Sequence, residues 1–209
     1  MRYRRYLILA VLLGLLISAC SKQGHRLADE ALSKGDYEKA AEYYTEELKK
    51  TQADVHLRNN LGITYMRLAR YDDAFRELQK AIAIDPNYAK AHYNLGLVYY
   101  HKGLLGKEVE EYKKAIAIDP EYKIARMNLA SAYLAKGEKA LAEKEYNWVI
   151  EKEPENKKAL YNLGLIYSET KRRDEAILMF ERYIKLEPKG KLSDKAREYL
   201  RKLKTKDKK

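Results

Sequence analysis

Among side chains able to act as nucleophile, base or metal ligand, this 209-residue chain has one cysteine, Cys20, and four histidines, His25, His56, His92 and His101. His92 and His101 stand nine apart in a stretch of helical composition, which does not bring them to one face in metal-binding register. No His-Glu-x-x-His pair and no phosphate-cradling Gly-rich loop occurs. Ser18, Ser21, Ser33, Ser131, Ser168 and Ser193 lack the strand–turn–helix context of a nucleophile elbow. Carboxylates are abundant, but in stretches such as Glu42–Glu47 and Glu108–Glu111 they are expected to lie on solvated helix faces beside Lys. The expectation is a non-enzyme with no metal, no cofactor and no small-molecule substrate.

One polar residue type recurs. Asn60, Asn94, Asn128 and Asn162 are each 34 residues apart. A carboxamide offers an acceptor and two donors, so it can pair with both groups of a peptide unit. A row of them would read an extended backbone without reading its sequence. The same residues could instead only bond neighbouring helices. Around them lie Asn59, Tyr93, Met127 and Tyr161, then Ile63, Leu97, Ser131 and Leu165, then Met66, Tyr100 and Leu134. Tyr, Met and Leu on such a surface suit an amphipathic or extended segment. The Ile63 set suits packing against the next helix equally well.

The elements that position these residues are helices. Apolar residues make up 46% of the chain, and only ten Gly and four Pro punctuate it. Runs of Ala, Leu, Lys, Glu and Tyr at helical spacing point to an all-α fold. Pro86, Pro120, Pro154 and Pro188 are 34 residues apart, each after an acidic residue. In phase with them come Leu61-Gly62, Leu95-Gly96, Leu129-Ala130 and Leu163-Gly164. Tyr65, Tyr99, Tyr133 and Tyr167 follow three residues on. Ala74, Ala142 and Ala176 recur next, then Leu78, Tyr112, Tyr146 and Phe180. Small residues let the two helices of a hairpin approach closely, the Leu and Tyr are expected to fill the gap between neighbouring hairpins, and proline ends each unit. One unit cannot bury its apolar face alone, so the units must stack.

This pattern resembles the tetratricopeptide repeat (TPR) family. The resemblance implies an all-α, right-handed TPR solenoid of about five helix-turn-helix repeats plus a C-terminal capping helix. The expected repeats are 55–88, 89–122, 123–156 and 157–190, with a degenerate one at 21–54. In that one Gly35, Tyr37, Ala40 and Tyr44 stay in phase, but Leu27-Ala28 replaces Leu-Gly. Residues 191–209 are expected to form a capping helix and a basic tail. Within 193–204, Ser193 is the expected N-cap, and Ala196, Tyr199, Leu200 and Leu203 share one face. Residues 205–209 are expected to be disordered. The family implies protein or peptide partners held on the concave side by the first helices. The candidate groove residues are then Asn60, Asn94, Asn128, Asn162, Tyr93, Tyr161, Met127 and Tyr100. Lys90 and Lys158 flank it and are partly similar to the carboxylate clamps that grip chaperone tails, but the paired Arg is missing.

Two positions break the pattern. Glu108 takes the place of Ala74, Ala142 and Ala176. A buried carboxylate there is costly, so the repeat around it is expected to be shifted or loosened. Trp148 takes the place of Lys80, Lys114 and Arg182. It either marks a second contact site or lies flat on its helix beside Lys144 and Lys152.

The N-terminus carries a different signal. Residues 1–19 have a basic start, the apolar run Leu7–Ile17 and small residues at the end, the plan of a secretory signal. The run from Tyr6 to Ala19 is shorter than the roughly 20 residues of a spanning helix. Ile17-Ser18-Ala19-Cys20 resembles a bacterial lipobox. That implies a lipoprotein signal peptide over 1–19, lipidation of Cys20, and an anchor and short linker over 20–24. Ser21 lacks the Asp of an inner-membrane retention signal, which implies the periplasmic face of the outer membrane in a Gram-negative host. With the leader removed, 39 basic and 31 acidic residues remain. Ten basic and three acidic residues of these lie between Lys189 and Lys209, so the repeats are near neutral. No basic stripe runs along them, and nucleic acid is not expected as a partner. Lipobox, short linker and repeats together are similar to the TPR lipoproteins of type IV pilus biogenesis, the pilotins that help a secretin multimerise. The alternative is an adaptor that regulates peptidoglycan hydrolases or synthases, as another TPR lipoprotein family does.

Overall fold

Eleven helices account for nearly all of residues 24–205, the part of the chain that the computed structural model describes. Residues 1–23, on which the expected signal peptide and Cys20 fall, and residues 206–209 lie outside the described residues. The helices are α1 (24–34), α2 (Tyr37–Lys50), α3 (Val55–Arg67), α4 (Tyr71–Ile84), α5 (Ala89–His101) and α6 (Leu105–Ile118), then α7 (Lys123–Ala135), α8 (Lys139–Lys152), α9 (Lys157–Glu169), α10 (Arg173–Leu186) and α11 (Lys191–Thr205). Consecutive helices pair antiparallel into a TPR array, and α11 follows the last pair. The chain divides into two compact units, one ending at Ile118 and the other starting at Asp119. The first holds α1–α6 and the second α7–α11.

Every hairpin turn closes the same way. The turn residue takes a positive φ: Gly35 (80°), Ala69 (56°), Gly103 (70°), Gly137 (78°) and Lys171 (62°). The next N–H donates to the carbonyl five residues back, as in Arg70 to Tyr65 and Arg172 to Tyr167, both 2.8 Å. This satisfies carbonyls left open at the end of the first helix. Helix starts are capped where a short acceptor is present: Asp54 accepts from the N–H groups of His56 and Leu57, and Asn156 from that of Ala159. Each proline follows the C-cap of a second helix by one residue.

The small residues of the first helices set the hairpin spacing. A β-carbon on Gly62 would lie 2.7 Å from Leu78 Cγ, and one on Gly164 2.7 Å from Phe180 Cε1. In the N-terminal unit Ala28, Ala40, Tyr44, Leu57 and Leu61 form one buried cluster, and Ala74, Leu78, Leu95 and Val98 another. In the second unit Tyr146, Leu160, Leu163, Ile166 and Phe180 are essentially inaccessible. The degenerate first repeat keeps Ala28, Ala40 and Tyr44 in its core, while Leu27 is 37% exposed.

The carboxylates depart from expectation. Glu47, Glu108 and Glu111 are buried, not solvated. Glu47 lies 2.7 Å from the Lys50 ammonium. Glu111 accepts from Lys114 at 2.7 Å and faces His92 Nδ1 at 2.7 Å. Burial pushes its carboxyl up, but the bonds from His92 and Lys114 outweigh this and hold it below its ordinary value. Glu108 does not shift or loosen its repeat: α6 has the same 14-residue length as α4, α8 and α10 and starts in the same phase. The charge gives way instead. Among the described residues no hydrogen bond or ion pair reaches the Glu108 carboxyl, and burial pushes its pKa up to about 6. Being the fourth residue of α6, it sits where amide dipoles also favour an acidic side chain.

A second correction concerns α11. It begins at Lys191, so Ser193 is inside the helix and not its N-cap. The Ser193 hydroxyl is buried and donates to the Glu187 carbonyl at 2.5 Å. Ala196 is buried and the Tyr199 ring stacks on Phe180 at 5.3 Å, as their shared face requires. Leu200 faces elsewhere and lines an open groove. Thr205 is the last residue of the helix.

Candidate peptide-binding faces

The recurring asparagines divide two and two between the units. In the first unit, α3 carries Asn60 and α5 carries Asn94. Asn94 is buried, and its Nδ2 donates to Asn59 Oδ1 at 2.8 Å. Asn59 Nδ2 donates to Asn60 Oδ1 at 3.3 Å, and Asn60 Nδ2 to Asp29 Oδ1 at 3.3 Å. The Tyr44 hydroxyl ends the relay, donating to the same Asp29 oxygen at 2.5 Å. Burial and this bond raise the pKa of Tyr44. The relay therefore ties α5, α3, α1 and α2 together. It answers one of the two readings of these asparagines: Asn94 is committed to the scaffold, while Asn60 is half-buried at its edge.

The aromatic residues beside them rest on core rings. Tyr93 is half-buried with its ring centroid 5.8 Å from that of Tyr112. Tyr100 is 61% exposed, next to His101, which stacks on Tyr71 at 4.7 Å. In the second unit, Met127 and Asn128 of α7 and Tyr161 and Asn162 of α9 are all half-buried. Tyr161 packs edge-on against Phe180 and Tyr183, at 6.0 and 5.2 Å. Burial raises its pKa, so it stays a neutral donor at physiological pH. Asn162 donates to the Lys158 carbonyl one turn back, at 2.9 Å. Ser131 bonds the Tyr146 hydroxyl at 3.0 Å and is scaffold, not groove. Ile124 at the start of α7 is 59% exposed. Lys90 and Lys158 are exposed, one in each unit.

Trp148 is half-buried and lies flat under cations, but not the pair expected. The Arg126 guanidinium sits 4.2 Å from its ring and the Lys152 ammonium 5.5 Å. Arg126 belongs to a recurring clasp that the residue-by-residue reading missed. It pairs with Glu145 at 2.7 Å and donates to the Pro120 carbonyl at 3.0 Å. Arg58 pairs with Glu77 at 2.7 Å and donates to the Gln52 carbonyl. His92 fills the same position, with Glu111 on one ring nitrogen and the Pro86 carbonyl on the other. The signal was legible as a base followed 19 residues later by Glu, three times at the repeat interval.

Among the described residues no group of three or more His, Cys, Asp and Glu could hold a metal ion. No described helix is long and apolar enough to cross a membrane.

Models of the tetratricopeptide repeat match residues 25–55, 55–84, 89–122 and 127–191, and a further TPR-repeat model matches 70–103. The chain is a tetratricopeptide repeat protein. Over 72 residues this TPR protein is 31% identical to Hsp70-Hsp90 organizing protein 1 of Glycine max; the match spans 31% of this chain and only 13% of that protein. The crystal structure of MamA protein is 28% identical, covering 80% of this chain and 92% of that one at a TM-score of 0.70. PilW, a type IV pilus biogenesis factor, is 20% identical with 90% and 91% covered and a TM-score of 0.72. PilF of Pseudomonas aeruginosa is 14% identical with 90% of each chain covered and a TM-score of 0.75. The last two likenesses are to the TPR fold alone. As a TPR protein the chain is a scaffold for protein–protein interaction.

Proposed function

We propose that the chain is a lipid-anchored scaffold of the bacterial cell envelope. Cys20 carries the anchor, on the periplasmic face of the outer membrane in a Gram-negative host, and the first-helix faces hold a protein partner during assembly of an envelope complex, the type IV pilus and its secretin. The observation that carries the binding reading is the backing of the aromatic residues. Tyr93 rests on Tyr112, and Tyr161 on Phe180 and Tyr183, each still half-exposed. Rings held this way lose little freedom when a partner covers them. The lipobox-like Ile17-Ser18-Ala19-Cys20 supports the anchor. The likeness of the fold to PilW and PilF is consistent with the pathway.

Crosslinking the full-length protein in native membranes and identifying the partner by mass spectrometry tests this. A secretin subunit is the expected product. Peptidoglycan hydrolases or synthases would replace the pilus reading with the adaptor reading. In the same preparations Cys20→Ser should abolish acylation or leave an unprocessed precursor. Mature-size, membrane-extracted Cys20→Ser protein would sink the anchor.

A further inference from the structure

α11 continues the first-helix face of α9. Its Leu192, Lys195 and Tyr199 lie 34 residues after Lys158, Tyr161 and Leu165, and their spacing puts them on one side of the helix. Tyr199 stacks on Phe180 at 5.3 Å. Tyr161 meets the same Phe180 edge-on at 6.0 Å and Tyr183 at 5.2 Å. Three phenols, from α9, α10 and α11, thus form one cluster within the second unit. Their hydroxyls have no protein partner: among the described residues none of the three makes a hydrogen bond, although Tyr183 is only 5% exposed. A buried phenol ordinarily finds a partner. Tyr44 has Asp29, Tyr146 has Ser131 and Tyr167 has Asn147. None of the three oxygens in the cluster is sealed from solvent, so an incoming group can reach them.

The surrounding charge selects the group. Lys158 stands one turn before Tyr161 and Lys195 one turn before Tyr199. Both are exposed, and neither has an ion pair among the described residues. Lys157 and Lys202 lie at the edges of the cluster but are engaged, by Glu187 and Glu198 at 2.6 Å each. Glu198 also acts on Lys195 through space. The two pairs cancel, so the rim carries the positive charge of Lys158 and Lys195. Phenol and ammonium both donate, and an ionised acceptor is held about twice as strongly as a neutral one. Leu192, 48% exposed on the same face, adds an apolar contact beside the donors.

We propose that Tyr161, Tyr183 and Tyr199, with Lys158 and Lys195, receive a side-chain carboxylate from an acidic segment of the protein partner, while Leu192 covers an apolar residue next to it. The site rests on the first-helix faces being where a partner binds, and it sets the chemistry that the partner must present. α11 then does more than close the array: it supplies one of the three phenols and one of the two free ammonium groups.

Fluorescence anisotropy tests this with the purified full chain in detergent at low salt. The probes are a dye-labelled peptide of Leu, Asp and Glu residues and the same peptide with Asn and Gln in place of Asp and Glu. The acidic peptide should bind about ten-fold more tightly than the neutral one. Tyr183→Phe and Tyr199→Phe keep the rings and their packing, so melting should be unchanged. Together they should weaken the acidic peptide by about ten-fold. Lys195→Gln should weaken it less and reduce its dependence on salt. Equal binding of the two peptides overturns the proposal, as does parental affinity in the double Phe variant. If that variant instead loses binding to vesicles of anionic lipid and keeps the peptide, the donors serve a lipid surface and the proposal fails. In native membranes the double Phe variant should lose the crosslinked partner. Capture at the parental yield would sink the site and leave the scaffold reading intact. A parent that captures no partner counts against the scaffold reading, and the peptide titration still decides the site.

Discussion

Gly96 and the ring of Tyr112 meet so closely that a β-carbon on Gly96 would lie 2.5 Å from Tyr112 Cε1. The contact fixes how near α5 and α6 approach. Ala130 and Tyr146 occupy the same positions in the second unit, both fully buried, so the fold can make room for one methyl group when built around it. Gly96→Ala should therefore destabilise by overpacking, by about 1–3 kcal/mol, and Gly96→Val by clearly more. Urea unfolding checks this. An unchanged midpoint for both would show that the ring moves aside freely.

Glu108 should make stability depend on pH in the mildly acidic range, between about 4.5 and 6. Its folded pKa of about 6 lies above the ordinary carboxyl value of 4.5. The folded chain then binds more protons in that window, so this group's contribution to stability falls as pH rises from about 4.5 through about 6 and levels off above it. Glu108→Ala, the residue of the sibling repeats, should stabilise the protein at pH 7 by at most about 2 kcal/mol and flatten that slope. Thermal melts at pH 5 and 7 decide it; equal gains at both pH values would contradict the assignment.

Two hairpin turns carry a side chain where three others carry glycine. Ala69 and Lys171 hold φ of 56° and 62°. An L-residue pays about 1–2 kcal/mol there relative to the right-handed region, a cost glycine does not bear. Lys171→Gly should raise stability by a few tenths to about 1 kcal/mol, the gain being offset by the greater freedom of glycine in the unfolded chain. Lower stability of Lys171→Gly would show that the Lys side chain matters more than the backbone.

His92→Ala should remove the partner of a buried carboxylate and leave Glu111 with Lys114 alone. Stripping one member from such a pair costs about 3–5 kcal/mol. His92→Arg, matching Arg58 and Arg126, should retain most of the stability. Because Glu111 is held below its ordinary value, its contribution is present above pH 4.5 and is lost as pH falls through the lowered value. Chemical denaturation of both variants at pH 7 tests the pair; equal losses would assign His92 to shape and not charge.

For the asparagines, the relay predicts a split. Asn94→Ala should cost stability, because Asn59 then has an unmet buried acceptor, about 1–3 kcal/mol. Asn162→Ala gives up only a bond within its own helix and should leave melting unchanged. If the first-helix face binds the partner, Asn162→Ala and Tyr161→Ala should weaken binding. Melting that falls for Asn162 and not for Asn94 would reverse the assignment.

Much of this architecture was legible in one dimension because it repeats. Proline, the small residue and the large residue recurred in phase, so the close approach of the two helices of each hairpin followed from spacing; that Leu78, Tyr112 and Phe180 lie against Gly62, Gly96 and Gly164 of their own hairpins, and not between neighbouring hairpins, was decided by the structure. Departures from the repeat were visible but not their resolution. Glu108 announced a conflict between charge and burial, and either the backbone or the charge could have yielded. The expected Ser193 cap failed because α11 continues two residues earlier, with the hydroxyl bonding the turn before it.

The sequence by itself determined the all-α class and the pairing of helices into about five repeats with a helix after the last, since these depend on periodic sterics that recur every 34 residues. Only the tertiary structure decided which polar side chains belong to the scaffold. Asn60 and Asn94 are the same residue type in the same register, yet one sits at an edge and the other is buried against Asn59. Their difference arises from neighbours 31 and 35 residues distant, Asp29 and Asn59, whose approach no local pattern encodes.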